Sequence, residues 1–143
     1  SLLHVPGNIY YFLLSPPIPI FRDGLSAVLK FPYISANPWG LGIIFTSPYL
    51  IYLFFIEYKK RIMKIILFTA LLIATMVFLY YGIGWRQYGF RYSLDFLPLL
   101  FLIFMIGYKK KNPFLSKKLK FTFVIISFTN LYLYFTYLNI LLS

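Results

Sequence analysis

Long runs of apolar residues, separated by short polar segments, dominate the pattern along the chain. Residues 39–56, 65–83 and 121–142 carry no charge and have the roughly 17–25 residues that a membrane-spanning helix needs. A further run, residues 92–108, is shorter and carries Asp95 near its start. The pattern predicts an all-α polytopic membrane protein with about four transmembrane helices, at residues 39–142.

Prolines make two of these helices irregular. Pro48 either kinks the first helix or is the first helical residue after a Ser47 cap. Pro98 raises the same question in the third helix. If Ser93 caps that helix, Asp95 lies in its first turn, where the helix dipole stabilises a carboxylate. Residues 94–107 extend only about 21 Å, less than the roughly 30 Å hydrocarbon core.

The apolar run in the first part of the chain is too short to span a membrane. Residues 9–14 are apolar, but the prolines in residues 15–19 cannot continue a helix. We therefore expect residues 1–38 to form an extracytoplasmic, interfacial segment: a short helix followed by an extended stretch. Because the sequence starts with Ser rather than Met, we expect residues 1–143 to be a single membrane region at the C-terminal end of a longer polypeptide.

The composition supports a membrane environment. Hydrophobic residues make up 61% of the chain and charged residues 12%, whereas soluble domains average about 45–50% and about 25%. The composition argues against a soluble enzyme and excludes a disordered chain, which needs low hydrophobicity. Since the sequence contains no cysteine, disulfides and thiolate metal sites are excluded.

The net charge of +11 is unevenly distributed. Ten of the 14 lysine and arginine residues lie in segments 57–64 and 108–120, between predicted helices. By the positive-inside rule these segments face the cytoplasm, and the loop at residues 82–92 faces the outside of the cell membrane. The partner that we expect for the lysines is therefore membrane lipid. Nucleic acid is not expected, because it requires basic residues interleaved with exposed aromatic residues on one surface.

The outer loop and the start of the third helix, residues 82–98, hold the candidate chemistry in the sequence GIGWRQYGFRYSLDFLP. Arginine presents a planar fork that matches phosphate oxygens, and tyrosine and tryptophan suit the depth of lipid headgroups. We interpret the arginines as a lipid-phosphate site and the other four residues as its lining. The candidates are Arg86 and Arg91, lined by Trp85, Tyr88, Tyr92 and Asp95.

Simpler explanations exist for the same residues. Arg91 and Asp95 are four residues apart and can pair along the start of a helix, although this order is the weaker one. Arg86 can extend to lipid phosphates, and Trp85 and the tyrosines can act as ordinary interfacial anchors.

The same segment resembles a family of bacterial membrane proteins. The GT-C-type polytopic glycosyltransferases, which include protein mannosyltransferases and lipid A aminoarabinose transferases, have a similar late segment. A preceding stretch, Asn37 to Gly40 with Ser47 and Pro48, is also similar. The residues that carry the main resemblance are Trp85, Gly89, Arg91, Tyr92, Asp95 and Pro98.

The resemblance implies transfer of a sugar from a polyprenyl-phosphate-linked donor at the outer face. In that family the base is an acidic residue of the first outer loop, often with a divalent metal in the full-length protein. Nothing here matches that loop, so the resemblance leaves the catalytic residue unidentified, and no metal ligand or cofactor is expected in this chain. Arg86 and Arg91 would neutralise the phosphate leaving group.

A second function fits the same sequence. The chain can be a non-catalytic membrane module, or a subunit of a lipid-linked saccharide polymerase or flippase. The two functions differ in what they expect of the arginines. An enzyme needs them to converge in a cavity lined by tyrosine and tryptophan, whereas a module allows them to point outward into the headgroups.

Overall fold

A computed structural model describes residues 2–23, 27–82, 84, 87–111 and 114–142. Within these ranges the chain is mostly helical, as predicted. Three stretches form 3-10 helices, Leu2–His4, Pro48–Phe55 and Arg91–Asp95. The other elements are α1 (Val5–Leu13), β1 (Ile18–Phe21), β2 (Leu29–Ser35), α2 (Ile43–Thr46), α3 (Arg61–Leu79), α4 (Leu97–Lys111) and α5 (Lys117–Leu142).

Two helices of the described chain are long and apolar enough to cross a membrane. They are α3 and the Lys117–Asn139 part of α5, with mean hydropathies of 2.5 and 1.4. Only 17% of the apolar window of each helix is buried, unlike the core helix of a soluble protein. Their exposed leucine, isoleucine and phenylalanine side chains would form a large apolar patch in water, and lipid removes that penalty.

The first predicted spanning helix is interrupted. Residues 39–56 form the single turn α2, a break at Ser47, and then the 3-10 helix Pro48–Phe55. Pro48 has no backbone N–H to continue the α-helix, and Ser47 takes a non-helical conformation with φ −145° and ψ 55°. At about 2.0 Å per residue the 3-10 helix extends roughly 16 Å. This segment is therefore much shorter than a regular spanning helix.

The third predicted helix begins later than expected. Residues Arg91–Asp95 form a 3-10 helix, and α4 begins only at Leu97. The Ser93 hydroxyl donates to the Phe90 carbonyl at 2.6 Å instead of capping α4, so Asp95 precedes the α-helix rather than lying in its first turn. Pro98 lies in the first turn of α4, where a missing N–H breaks no hydrogen bond. The 15 residues of α4 extend about 22 Å.

The prediction of an all-α fold is wrong for Ile18–Phe21 and Leu29–Ser35, which form strands. Strands β1 and β2 pair in antiparallel fashion, with Ile18 opposite Ser35 and Phe21 opposite Leu29. The prolines before and within β1 exclude a helix and favour extended backbone. The sequence anticipated the extended stretch but not its partner strand.

Small residues let α3 pack against α4. Ala70 and Ala74 of α3 are buried and belong to one apolar cluster with Phe12 and Phe96. At the other end of α4, a Cβ atom added to Gly107 would lie 2.5 Å from Cγ2 of Ile56. Close backbone approach at small residues is the usual way in which helices associate in lipid.

The lysine-rich segments and Arg91 lie at opposite ends of the helix bundle. Arg61 begins α3, and Tyr80 follows its last residue about 28 Å away. The Tyr80 ring contacts the ring of Tyr92, which neighbours Arg91, with centroids 5.5 Å apart. At the Arg61 end, the Ser116 amide donates to the Tyr108 hydroxyl, which joins the end of α4 to the segment before α5.

One buried amide joins α1 to the end of α3. Asn8 is 1% exposed, and its Nδ2 donates to the carbonyls of Phe78 and Tyr80 at 2.8 and 2.9 Å. These carbonyls belong to the last turn of α3, which has no helical partner for them. Asn8 therefore supplies donors to the carbonyls at the C-terminal end of α3 and holds α1 against that end.

We predict that Asn8→Ala lowers the free energy of unfolding by about 1–3 kcal/mol, because two carbonyls lose their donor and a cavity opens. Thermal unfolding of the purified chain in detergent measures the change. Asn139→Ala is the matched control, since Asn139 is exposed near the end of α5 and its loss should be neutral. Equal effects of the two substitutions would contradict the role of Asn8.

Candidate functional site

A cleft of about 430 Å³ opens at the Arg91 end of the bundle. We call it the Arg91 cleft. Its apolar walls come from α1, α2, the loop before α4 and the start of α4, and its polar groups come from the break after α2, the loop and α5. The polar lining consists of Thr46, Ser47, Gln87, Tyr88, Arg91, Ser93 and Asn130; the apolar lining includes Phe12, Leu41, Ile43, Phe90, Leu94 and Leu97.

Backbone hydrogen bonds hold the loop against the segment before α2. The Leu41 amide donates to the Tyr88 carbonyl at 2.9 Å, and the Gln87 amide donates to the Pro38 carbonyl at 3.1 Å. Gly40 makes this approach possible: its φ is +106°, and an added Cβ would lie 3.2 Å from the backbone carbon of Gly89. A side chain at Gly40 would be strained in conformation and crowded by the loop.

Gln87 connects this junction to Arg91. Its Nε2 donates to the Trp39 carbonyl at 2.7 Å, and its Oε1 accepts from the Arg91 amide at 3.3 Å. The side chain is buried, and Gly84, with φ +89°, leaves room beside it. Gln87 thereby positions the backbone from which the Arg91 side chain extends. Sequence reasoning missed this role, because one glutamine between arginines and aromatics carries no recognisable pattern.

Asn130 provides a hydrogen-bond donor for the backbone at the break in the first apolar run. Its Nδ2 donates to the Thr46 carbonyl at 3.0 Å. In a continuous α-helix that carbonyl would accept from the Leu50 amide, which here donates to the Ser47 carbonyl instead. The Tyr88 hydroxyl lies 2.7 Å from Asn130 Oδ1 and 2.8 Å from the Asn130 carbonyl oxygen, and donates its proton to this pair. An amide inside an apolar helix is expected to bond a neighbouring element, but the sequence does not identify Tyr88 as the partner.

The Arg91 side chain is exposed at the rim of the cleft. Its guanidinium carbon lies 5.2 Å from the centre of the Tyr92 ring, and Nη2 lies 3.5 Å from the Tyr92 hydroxyl. The Tyr92 hydroxyl raises the pKa of Arg91, so the side chain stays cationic. In the described part of the chain Arg91 and Asp95 form no ion pair, so the pairing considered from the sequence does not occur.

Asp95 belongs to a second, smaller cleft of about 250 Å³, which we call the Tyr92 cleft. Its lining consists of Met76, Val77, Tyr80, Tyr92 and Asp95.

The structure thus divides the described site candidates between two adjacent clefts. Tyr88 and Arg91 line the Arg91 cleft, whereas Tyr92 and Asp95 line the Tyr92 cleft. Trp85 and Arg86 lie outside the described residues.

The Arg91 cleft has the features of a site for an anionic amphiphile. A permanent cation lies at its mouth, its walls are largely apolar, and none of the described residues that line it is acidic. Such a site suits a phosphate or carboxylate attached to an apolar chain. Among residues 2–23, 27–82, 84, 87–111 and 114–142, no group of three histidine, cysteine or acidic side chains is placed to hold a metal ion.

A scan against protein-family models, a search of curated proteins and a search of solved structures each returned no match to this chain. The function is therefore argued from the clefts and from the quoted residues.

Burial raises the pKa of Tyr88 to about 12 from an ordinary value of 10.0. The protonated hydroxyl of the folded protein contributes stability that is complete below pH 10 and is lost as the pH rises through 12. We predict that Tyr88→Phe removes one late step from the tyrosinate absorbance titration at 295 nm. The wild type should also lose stability relative to Tyr88→Phe between pH 10 and 12. A titration unchanged by the substitution would contradict the protected hydroxyl.

Proposed function

We propose that this chain is the C-terminal membrane part of a glycosyltransferase that takes a polyprenyl-phosphate-linked sugar donor at the extracytoplasmic face. The observation that carries the proposal is the Arg91 cleft, with its exposed guanidinium and apolar walls at the end of the bundle opposite the lysines. The segment around the cleft resembles GT-C-type enzymes, and this resemblance is the reason to propose sugar transfer as the reaction.

The proposal includes four membrane crossings in the cell membrane. Helices α3 and α5 supply two crossings of ordinary length. The 3-10 helix Pro48–Phe55 and α4 supply two short ones, of about 16 and 22 Å. A hydrophobic segment shorter than the hydrocarbon core is accommodated by local thinning of the bilayer and by lysines that extend to the interface.

Within the reaction, Arg91 acts on the phosphate of the donor. When the sugar bond breaks, negative charge develops on the lipid-linked phosphate, and a preorganised guanidinium stabilises that charge. Tyr88, Gln87 and Asn130 shape the cleft and are bonded to protein partners. The catalytic base and any divalent metal belong, on this proposal, to the part of the polypeptide that precedes residue 1.

A non-catalytic membrane module is the second candidate, and one observation favours it. The Arg91 guanidinium is exposed and lies over Tyr92, at 5.2 Å from the ring centre, rather than turning into the cleft. An arginine in that position is suited to contact bulk lipid phosphates. A subunit of a lipid-linked saccharide polymerase or flippase would need only this contact between Arg91 and lipid phosphates.

We predict that Arg91→Ala in the full-length protein lowers glycosyl transfer by about 100-fold or more, the usual effect of removing one donor to a developing negative charge. Arg91→Lys should retain part of the activity, because it keeps the charge but not the planar fork. Transfer from a polyprenyl-phosphate sugar in reconstituted vesicles measures the effect. Arg61→Ala, at the other end of α3, is the control and should leave transfer unchanged. Full activity of Arg91→Ala would favour the module.

The orientation is tested by labelling single cysteines, since the sequence contains none. Tyr81 is 81% exposed near the Arg91 end, and Phe114 is 83% exposed near the lysine end. We predict that Tyr81→Cys reacts with a membrane-impermeant maleimide in intact cells. Phe114→Cys should react only after permeabilisation. The opposite result would place the lysine-rich segments outside the cell.

A further inference from the structure

The Tyr92 cleft combines one carboxylate with two aromatic rings. Tyr80 and Tyr92 have ring centroids 5.5 Å apart and planes inclined by 60°, so together they form a corner. Asp95, Met76 and Val77 complete the lining. Aromatic faces attract cations through the negative charge above the ring, and such corners bind ammonium groups in particular. A carboxylate beside them adds a full negative charge to the same attraction.

Asp95 has no partner of its own in the described part of the chain. Its side chain makes no ion pair and no hydrogen bond with another described residue, and it is exposed. Arg91, the nearest described cation in sequence, instead stacks on Tyr92. Its exposed carboxylate is therefore available to a positive group that comes from outside the chain. A metal ion is a poor candidate, since the described residues include no group of three ligands that could hold one.

The position of the cleft favours a lipid as the source of the positive group. Tyr80 directly follows α3, the more apolar of the two helices that are long enough to span, so the cleft lies where such a helix would reach the headgroup layer. Met76, one turn earlier on α3, is 73% exposed. A headgroup that enters from the bilayer therefore leaves its acyl chains along α3.

We propose that the Tyr92 cleft binds the ammonium group of an amine-bearing phospholipid, with phosphatidylethanolamine as the fitting headgroup. The ammonium contacts Asp95 and the rings of Tyr80 and Tyr92. The phosphate, two carbons away from the ammonium, lies toward the Arg91 guanidinium over the same Tyr92 ring. This lipid is a bound component of the membrane rather than a sugar donor, so the inference does not rest on the proposed function.

Native mass spectrometry of the full chain in detergent, titrated with defined lipids, tests the proposal. The probes are phosphatidylethanolamine and its N-acetylated derivative, which lacks the positive charge. We expect phosphatidylethanolamine to bind about fivefold more tightly, the size of a cation–π contact combined with a surface ion pair. Asp95→Asn removes the ion pair and should lower this ratio, leaving only the share of the cation–π contact. Asp23→Asn, a matched substitution on the exposed turn after β1, should preserve it.

Substitutions of Tyr80 separate the ring from its hydroxyl. Tyr80→Leu should lower the ratio, whereas Tyr80→Phe keeps the aromatic face and should preserve it. The proposal is overturned if both lipids bind equally to the wild type, or if Asp95→Asn leaves the ratio undiminished. Soluble phosphoethanolamine binding as tightly as the phospholipid would overturn the assignment to a lipid.

Arg91→Ala distinguishes this proposal from the glycosyltransferase. Because both lipids keep their phosphate, the loss of Arg91 should weaken them equally and leave their ratio unchanged. A lowered ratio in Asp95→Asn with unchanged glycosyl transfer would support the lipid site whatever the outcome for the enzyme. An unchanged ratio in Asp95→Asn, together with lost transfer in Arg91→Ala, would leave the enzyme standing and remove the lipid site.

Discussion

The hydrogen bond from Asn130 to the Thr46 carbonyl is the interaction on which the Arg91 end of the bundle depends. In lipid no water is available for a free backbone group, so a broken helix is tolerated only where protein donors replace the missing bonds. Pro48 creates such a break inside an apolar run, and α5 supplies the donor. The same asparagine accepts from Tyr88, so one side chain joins the broken segment, α5 and the loop before α4.

This interaction explains why a cleft exists beside the break. A continuous helix at residues 39–56 would lay its own side chains across the space that Ser47 and Thr46 now line. The loop then closes over the opening through Gln87, which bonds the Trp39 carbonyl on one side and the Arg91 amide on the other. The cleft is therefore held by the amide and hydroxyl groups of Gln87, Asn130 and Tyr88, and its rim carries the charge of Arg91.

The sequence predicted the parts of the fold that depend on hydrophobic length. Helices α3 and α5 follow from uncharged apolar runs, because apolarity over about 20 residues specifies a spanning helix directly. The breaks were harder to predict. Pro48 was compatible with a kink or a helix start, and the choice depends on Asn130, which is distant in sequence. The strand pair was missed because the apolar alternation of β2 is short and contains Pro32, and nearly all residues of the strand are exposed.

The site candidates show the same division. Residue chemistry singled out Arg91, Tyr92 and Asp95, because charged groups are rare in this chain. Residue chemistry did not predict that Arg91 and Asp95 line different clefts. The ring on which Arg91 stacks depends on how the 3-10 helix Arg91–Asp95 packs against the end of α3. Gln87 escaped notice, and the partners of Asn130 could not be named, because an amide is informative only once its partner is known.

The β1–β2 pair has a consequence for the bilayer around the protein. A two-stranded ribbon leaves the outer edge of each strand without backbone partners, and such edges are not tolerated in hydrocarbon. Strand β2 is nevertheless bonded to α5, through the Tyr132 hydroxyl and the Pro32 carbonyl. The free edges of the strands therefore require water or headgroups at the level of Tyr132, which places the tyrosine-rich last turns of α5 in a polar layer.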